Sequence, residues 1–196
     1  MRHVPSLLLT VALVFAAQGC DDTSRPTAPN SSDAALAGRS SAVSLQLGGD
    51  SRLVTMMDAC DPTSFNAVLG AGTCARQGGV SFDVFIAQLT KHQAVGAWHF
   101  APGVVNVKLG QTLVAVNNGG EVHTFTEVEH FGGGSVPVLN QLSGNPDPAP
   151  ECLALTASDS IPPGGTTSDD EDESGTELYQ CCIHPWMRAV VHIRGS

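Results

Sequence analysis

Tyr179-Gln180-Cys181-Cys182-Ile183-His184-Pro185-Trp186-Met187-Arg188 is the stretch that most restricts this chain, because it sets a thiol, an imidazole and a thioether inside seven residues, Cys181 to Met187. Donors that close in sequence reach one ion only if the segment is a tight loop between fixed ends. A thiolate and an imidazole with a weak thioether suit copper, which cycles between two oxidation states. A further ligand has to come from elsewhere, and the candidate is His123 in Val122-His123-Thr124-Phe125-Thr126.

The frame around the loop reads as β-structure. Val104 to Lys108 and Thr112 to Asn117 are apolar-alternating runs parted by Leu109-Gly110-Gln111, and Asn118-Gly119-Gly120 is a second turn. Trp98 and Phe100 alternate toward one face and start the sandwich, with His99 turned to solvent. A strand is expected from Glu121 to Val128, carrying His123. Phe131 to Pro150 is Gly- and Pro-rich and shows no helix, as expected of a connection between sheets, and His130 reads as an exposed loop residue. Ile161-Pro162-Pro163-Gly164-Gly165 is a turn before a final hairpin.

Here the residues resemble a known family. Cys181-x-x-His184-Pro185-x-Met187-Arg188, with Tyr179 before it and Ala189 to Ile193 after it, is similar to the ligand loop of cupredoxins of the plastocyanin and amicyanin type. Val104 to Asn117 is similar to the paired strands ahead of that family's first His ligand. The resemblance covers roughly the last hundred residues. It implies an all-β Greek-key sandwich with one type 1 copper ion held by His123, Cys181, His184 and Met187. The family's Cys-x-x-His spacing selects Cys181 over Cys182. One departure stands out: the family has Asn after its first His ligand, bracing the Cys loop, where this chain has Thr124.

Ahead of the sandwich the chain divides by composition. Residues 1–20 have a basic start, an apolar run from Leu7 to Ala17 and Cys20 directly after Gly19, a secretory signal shorter than the about 20 apolar residues that span a bilayer. Ala17-Gln18-Gly19-Cys20 resembles a bacterial lipobox, which implies lipidation of Cys20; an ordinary cleavage site near Cys20 is the other reading. Acyl chains contribute about 0.8 kcal/mol per buried CH₂, so two or more anchor a domain. Residues 21–52 have too few large apolar groups to offset the entropy of ordering and read as a tether. Residues 53–95 form a short, partly helical extension: Phe82, Phe85, Ile86 and Leu89 fall at helical spacing after Ser81, and Asp61-Pro62-Thr63 opens a second candidate. Residues 96–196 are the copper domain.

Six cysteines are present. Cys60 and Cys74, with thirteen residues between them, are most simply a disulfide worth about 3 kcal/mol in the chain-entropy model, with a metal site as the alternative. With Cys20 lipidated and Cys181 on copper, Cys60, Cys74, Cys152 and Cys182 remain, an even number. Pairing Cys152 with Cys182 would brace the loop beside Thr124.

A formal net charge of −10 argues against nucleic acid and for positively charged partners. The run Ser168-Asp169-Asp170-Glu171-Asp172-Glu173-Ser174 reads as a solvated hairpin tip, with calcium binding and docking of a basic partner as alternatives. With four protein ligands and no general base or nucleophile beside them, the expectation is an electron carrier and not an enzyme, with a redox partner in the cell envelope, no small-molecule substrate and membrane contact through a lipid anchor alone. The rival readings are a periplasmic copper-delivery protein and a metal-free cupredoxin-like binding module. In the resembled family the loop His lies at the surface amid apolar residues, which makes Pro185 and Trp186 the expected docking patch; inward packing of Trp186 is the alternative.

Overall fold

The computed structural model describes residues 50–195, so the expected signal segment, Cys20 and nearly all of the tether lie outside the described residues. Within them two four-stranded sheets face each other. The first is ordered β2 (His99–Ala101), β1 (Ser51–Met57), β4 (Thr112–Asn117), β6 (Thr166–Asp170). The second is ordered β3 (Val104–Lys108), β8 (Arg188–Arg194), β7 (Gly175–Gln180), β5 (Thr126–Val128). From β2 to β7 each strand lies in the sheet opposite its predecessor, so the chain crosses the core repeatedly. β1 runs parallel to β4 and β3 parallel to β8; the other pairings are antiparallel.

Alternation sets the core. β3 turns Val105 and Val107 inward, β4 Leu113 and Ala115, β8 Ala189, Val191 and Ile193, and all seven are buried. Burying a Val, Leu or Ile side chain fully is worth about 1.5–3 kcal/mol, which is enough to fix strand register, since a slip by one residue would expose the whole set. The all-β sandwich expected from the sequence is the architecture observed.

Several elements depart from the sequence reading. A first sheet strand, β1, precedes Trp98; only Val54 and Met56 are fully buried along it, and its parallel partner β4 lies far down the chain, so no local turn announces it. Between β1 and β2 lie α1 (Pro62–Leu69) and α2 (Phe82–His92). Asp61 caps α1, accepting from Ser64 N at 2.9 Å. The Ser81 hydroxyl makes no capping bond; instead Ser64 Oγ accepts from Phe82 N at 3.0 Å and ties the two helices together.

The strand expected from Glu121 is reduced to β5, with His123 held in an isolated bridge to Ile161. Asn117 Nδ2 donates to both Glu121 O and Ile161 O at 2.8 Å, and Ile161 O also accepts from His123 N at 3.1 Å within that bridge. The connection expected to lack helix, Phe131 to Pro150, contains α3 (Pro137–Leu142), and α4 (Pro150–Leu153) starts at its last residue. Both are too short to show a helical period in sequence. α3 is held by Asn140, whose amide bonds Gly134 N and O at 2.7 and 2.9 Å, and α4 carries Cys152.

The acidic run is not a hairpin tip. Its first half lies in β6, paired with β4, and the rest crosses to β7 in the opposite sheet. Glu171 is 2% exposed, its N–H donating to Gln111 O at 3.0 Å. Burial, with Glu177 and Asp169 nearby, pushes its carboxyl up to about 8. Among the described residues no helix is long and apolar enough to cross a membrane.

Candidate metal centre

Two antiparallel strands, β7 and β8, hold the ends of the Cys-His-Met loop, which explains how so short a segment can point several donors inward. The loop closes on itself: Cys181 N donates to Met187 O at 3.0 Å and Met187 N to His184 O at 2.9 Å. Cys181 Sγ then lies 3.7 Å from His123 Nδ1 and 3.8 Å from His184 Nδ1, all three residues buried. Imidazole and thiolate bonds of about 2.0 and 2.3 Å, splayed at a trigonal angle, separate the two donor atoms by about 3.7 Å. The spacing therefore fits one first-row ion among His123, Cys181 and His184. Met187 is fully buried in the same loop.

Electrostatics supports a thiolate. Burial alone raises a thiol, but hydrogen bonds and charge from His123 and His184 outweigh it and hold Cys181 well below its usual range. Thr124 adds a backbone N–H at 3.4 Å from the same sulfur. Its hydroxyl accepts from Cys182 N at 2.8 Å, so Thr124 braces the Cys loop through its own side chain.

Two carboxylates behind the imidazoles, Asp58 and Glu121, escaped the sequence reading. Asp58 Oδ2 accepts from His123 Nε2 at 2.9 Å, which holds a proton on Nε2 and turns Nδ1 toward Cys181, where a bound metal would displace any proton it carries. Burial pushes Asp58 up, yet His123 and the N–H groups of Glu121, Gly120 and Cys60 hold it down at about 2. Burial pushes His123 down, and the bonds to Asp58 and Cys181 raise it to about 9. Glu121 Oε2 accepts from Trp98 Nε1 at 2.7 Å and lies 3.6 Å from His184 Nε2. Burial raises the Glu121 carboxyl, and His184 and Trp98 offset part of that.

The segment between β1 and β2, which carried no function in sequence, thus supplies the outer wall of the centre. Its disulfide joins Cys60 to Cys74, and Ala75 N donates to Gly120 O at 2.8 Å on the turn leading to His123. That turn must be glycine: a Cβ on Gly119 would fall 2.0 Å from Asp58 Oδ2, and one on Gly120 2.6 Å from Cys60 Sγ. The only sequence signal was the Asn118-Gly119-Gly120 turn, and a turn does not say what approaches it. A second disulfide joins Cys152 to Cys182, and Cys181 is the free cysteine among the described residues. His99 and His130 are exposed and are not members of the cluster.

The surface around the loop differs from expectation. His184 is 3% exposed, not at the surface: Glu121 Oε2 lies 3.6 Å from its Nε2 and the Trp186 ring 5.4 Å from its own. Pro185 is buried, and Trp186 is half-buried with its ring 5.4 Å from His184 and 5.9 Å from Phe85.

A sandwich of two mixed sheets, with the Cys-His-Met loop closing its last two strands, decides the architecture. The fold is cupredoxin-like. No protein-family model and no curated protein matches the sequence. Among solved structures the chain is similar to a purple cupredoxin from Nitrosopumilus maritimus, at 19% identity over 51% of this chain and 86% of that one, TM-score 0.37. It is similar to a Cu(I) amicyanin variant at 19% identity over 49% and 73%, TM-score 0.34. It is also similar to oxidised plastocyanin from Dryopteris crassirhizoma at 12% identity over 73% and 100%, TM-score 0.38. What the site can do rests on its own residues.

Proposed function

We propose that the protein is a type 1 copper protein that carries single electrons between partners in the cell envelope. The observation that carries this reading is the near-equal spacing of Cys181 Sγ from the two Nδ1 atoms, 3.7 and 3.8 Å, a trigonal N₂S set. Met187 is the proposed axial thioether. When bound, copper supplies a one-electron couple whose potential is tuned by the axial ligand and by the hydrogen bonds around the thiolate. Among the described residues the chain holds the donors in place and keeps them buried, which supports the reading of a carrier. Thr124 N and the loop bonds hold the sulfur in position, which would lower the cost of reorganisation when copper is bound.

A delivery protein would need a ligand that swings free. Here Asp58 hydrogen-bonds His123 from behind and Glu121 lies 3.6 Å behind His184, which argues for retention of the metal. The two disulfides fit an oxidising compartment, and the proposal extends to export, with lipidation at Cys20. The proposed redox partner docks at the loop, on the exposed part of Trp186 beside Pro185, and the net charge of −10 favours a basic one. Electrons would pass through His184.

Reconstitution with copper and a visible spectrum test the reading. An intense thiolate-to-copper band with reversible one-electron reduction is expected; a protein that binds copper without that band is not an electron carrier of this kind. Trp186→Lys tests docking: slower exchange with the partner at unchanged colour and melting temperature supports it, and lost colour or early unfolding assigns Trp186 to the core.

A further inference from the structure

A cavity of about 320 Å³ lies between the helical segment and the ligand loop. Phe65 of α1 and Phe82 and Phe85 of α2 form one wall, with ring centroids 5.3 and 5.5 Å from that of Phe65 in edge-on contact. Leu139 of α3 and Ile183 of the ligand loop stand among the other lining residues. Thr73 is the one hydroxyl of the lining, and it is already spent on Gly70 O at 2.9 Å.

Glu121 and His184 are the remaining polar groups of the lining. Glu121 is 6% exposed. Its Oε2 is taken by Trp98 Nε1 and faces His184, whereas Oε1 has no hydrogen-bond partner among the described residues. Oε1 is thus left to accept from a donor that enters the cavity Glu121 lines. An aromatic wall with one acceptor at its base has the form of a small-molecule site: apolar lining for area, a single polar group for orientation.

We infer that this cavity binds a small phenol, its ring against the Phe65, Phe82 and Phe85 wall and its hydroxyl donating to Glu121 Oε1. The wall favours a ring, since aromatic pairs gain beyond their area in edge-on and offset contact. The volume lies at the low end for ligand pockets, which suits one ring with a short substituent. A neutral hydroxyl fits better than an ammonium, because an apolar cavity charges a heavy desolvation penalty for a cation. The expectation from sequence was of no small-molecule substrate; a phenol held here is a ligand and is not transformed. The inference goes beyond the proposed function and does not depend on it.

The test uses the full chain, metal-free and zinc-loaded, titrated with 4-ethylphenol and with ethylbenzene, which lacks the hydroxyl. Methyl NMR should show saturable one-to-one binding of 4-ethylphenol with shifts at Ile86, Leu139 and Ile183. Ethylbenzene should bind about tenfold more weakly, the loss of one buried hydrogen bond. Leu69→Trp, at a cavity residue that is 50% exposed and so free to enlarge, should weaken 4-ethylphenol at least about tenfold by filling the mouth. Ile86→Trp is the second filling variant should the first not fold. Equal binding of the two probes, no saturation up to solubility, shifts elsewhere, or binding indifferent to filling each overturn the proposal. A chain that binds 4-ethylphenol yet takes up no copper would leave this inference standing and remove the electron-transfer reading.

Discussion

Asp58 and His123 stand 65 residues apart in sequence and share a 2.9 Å hydrogen bond in the interior. Asp58 is itself held by the N–H groups of Cys60, Gly120 and Glu121 at 3.2, 2.9 and 3.0 Å. A carboxylate fixed by three backbone donors cannot swing away, so it dictates the orientation of the imidazole and, through it, where Nδ1 points.

Asp58→Ala should therefore lower zinc affinity by about 10–100-fold, the usual cost of removing a partner behind a ligating His. A competition titration with a chromophoric chelator measures it. Asp58→Asn keeps an acceptor and should recover most of the affinity; wild-type affinity in Asp58→Ala would show that the contact serves packing alone.

Thr124 replaces the Asn of the resembled family, and its hydroxyl is the acceptor for Cys182 N at 2.8 Å. Thr124→Val keeps the shape but leaves a buried donor unpaired, at about 1–3 kcal/mol. Urea unfolding should show that loss with an unchanged slope. A variant as stable as the parent would mean the loop relaxes to find another acceptor.

Adjacent cysteines do different work: Cys181 faces the two imidazoles, and Cys182 is bonded to Cys152 across 30 residues. Cys181→Ser should abolish the copper colour with little change in metal-free stability. Cys182→Ser paired with Cys152→Ser should keep the colour and cost about 3–4 kcal/mol in the chain-entropy model. Visible spectra and thermal melts of the two variants separate the roles, and the opposite pattern would overturn the loop register.

Glu171 gives the pH dependence a sign. Its folded value, about 8, lies above the ordinary 4.5, so the folded protein keeps a proton that the unfolded chain releases between those values. Stability from this group is complete below about pH 4.5 and declines as pH rises toward about 8. Glu171→Gln removes the titrating group, and its denaturation midpoint should fall less than that of the parent between pH 5 and about 8.5. Parallel pH profiles would place the proton elsewhere.

Some of this protein was determined by local sequence. The runs Val104 to Lys108 and Thr112 to Asn117 alternate, so their strands and inward faces follow from chain geometry alone. The spacing of Cys181, His184 and Met187 made one loop the candidate metal site, because donors so close together have few other ways to be used. Helix α2 was legible from Phe82, Phe85, Ile86 and Leu89. Tertiary structure decided the rest. β1 owes its place to a parallel partner far along the chain, and parallel pairing leaves no hairpin signature. Asp58 and Glu121 read in sequence as ordinary acids, and Glu171 as one of a solvated run. What each does depends on which donors and apolar walls surround it, and those come from segments remote in the chain. His184 was expected at the surface for the same reason: the loop specifies the candidate donor, but neighbours such as Glu121, remote in sequence, help decide how much water reaches it.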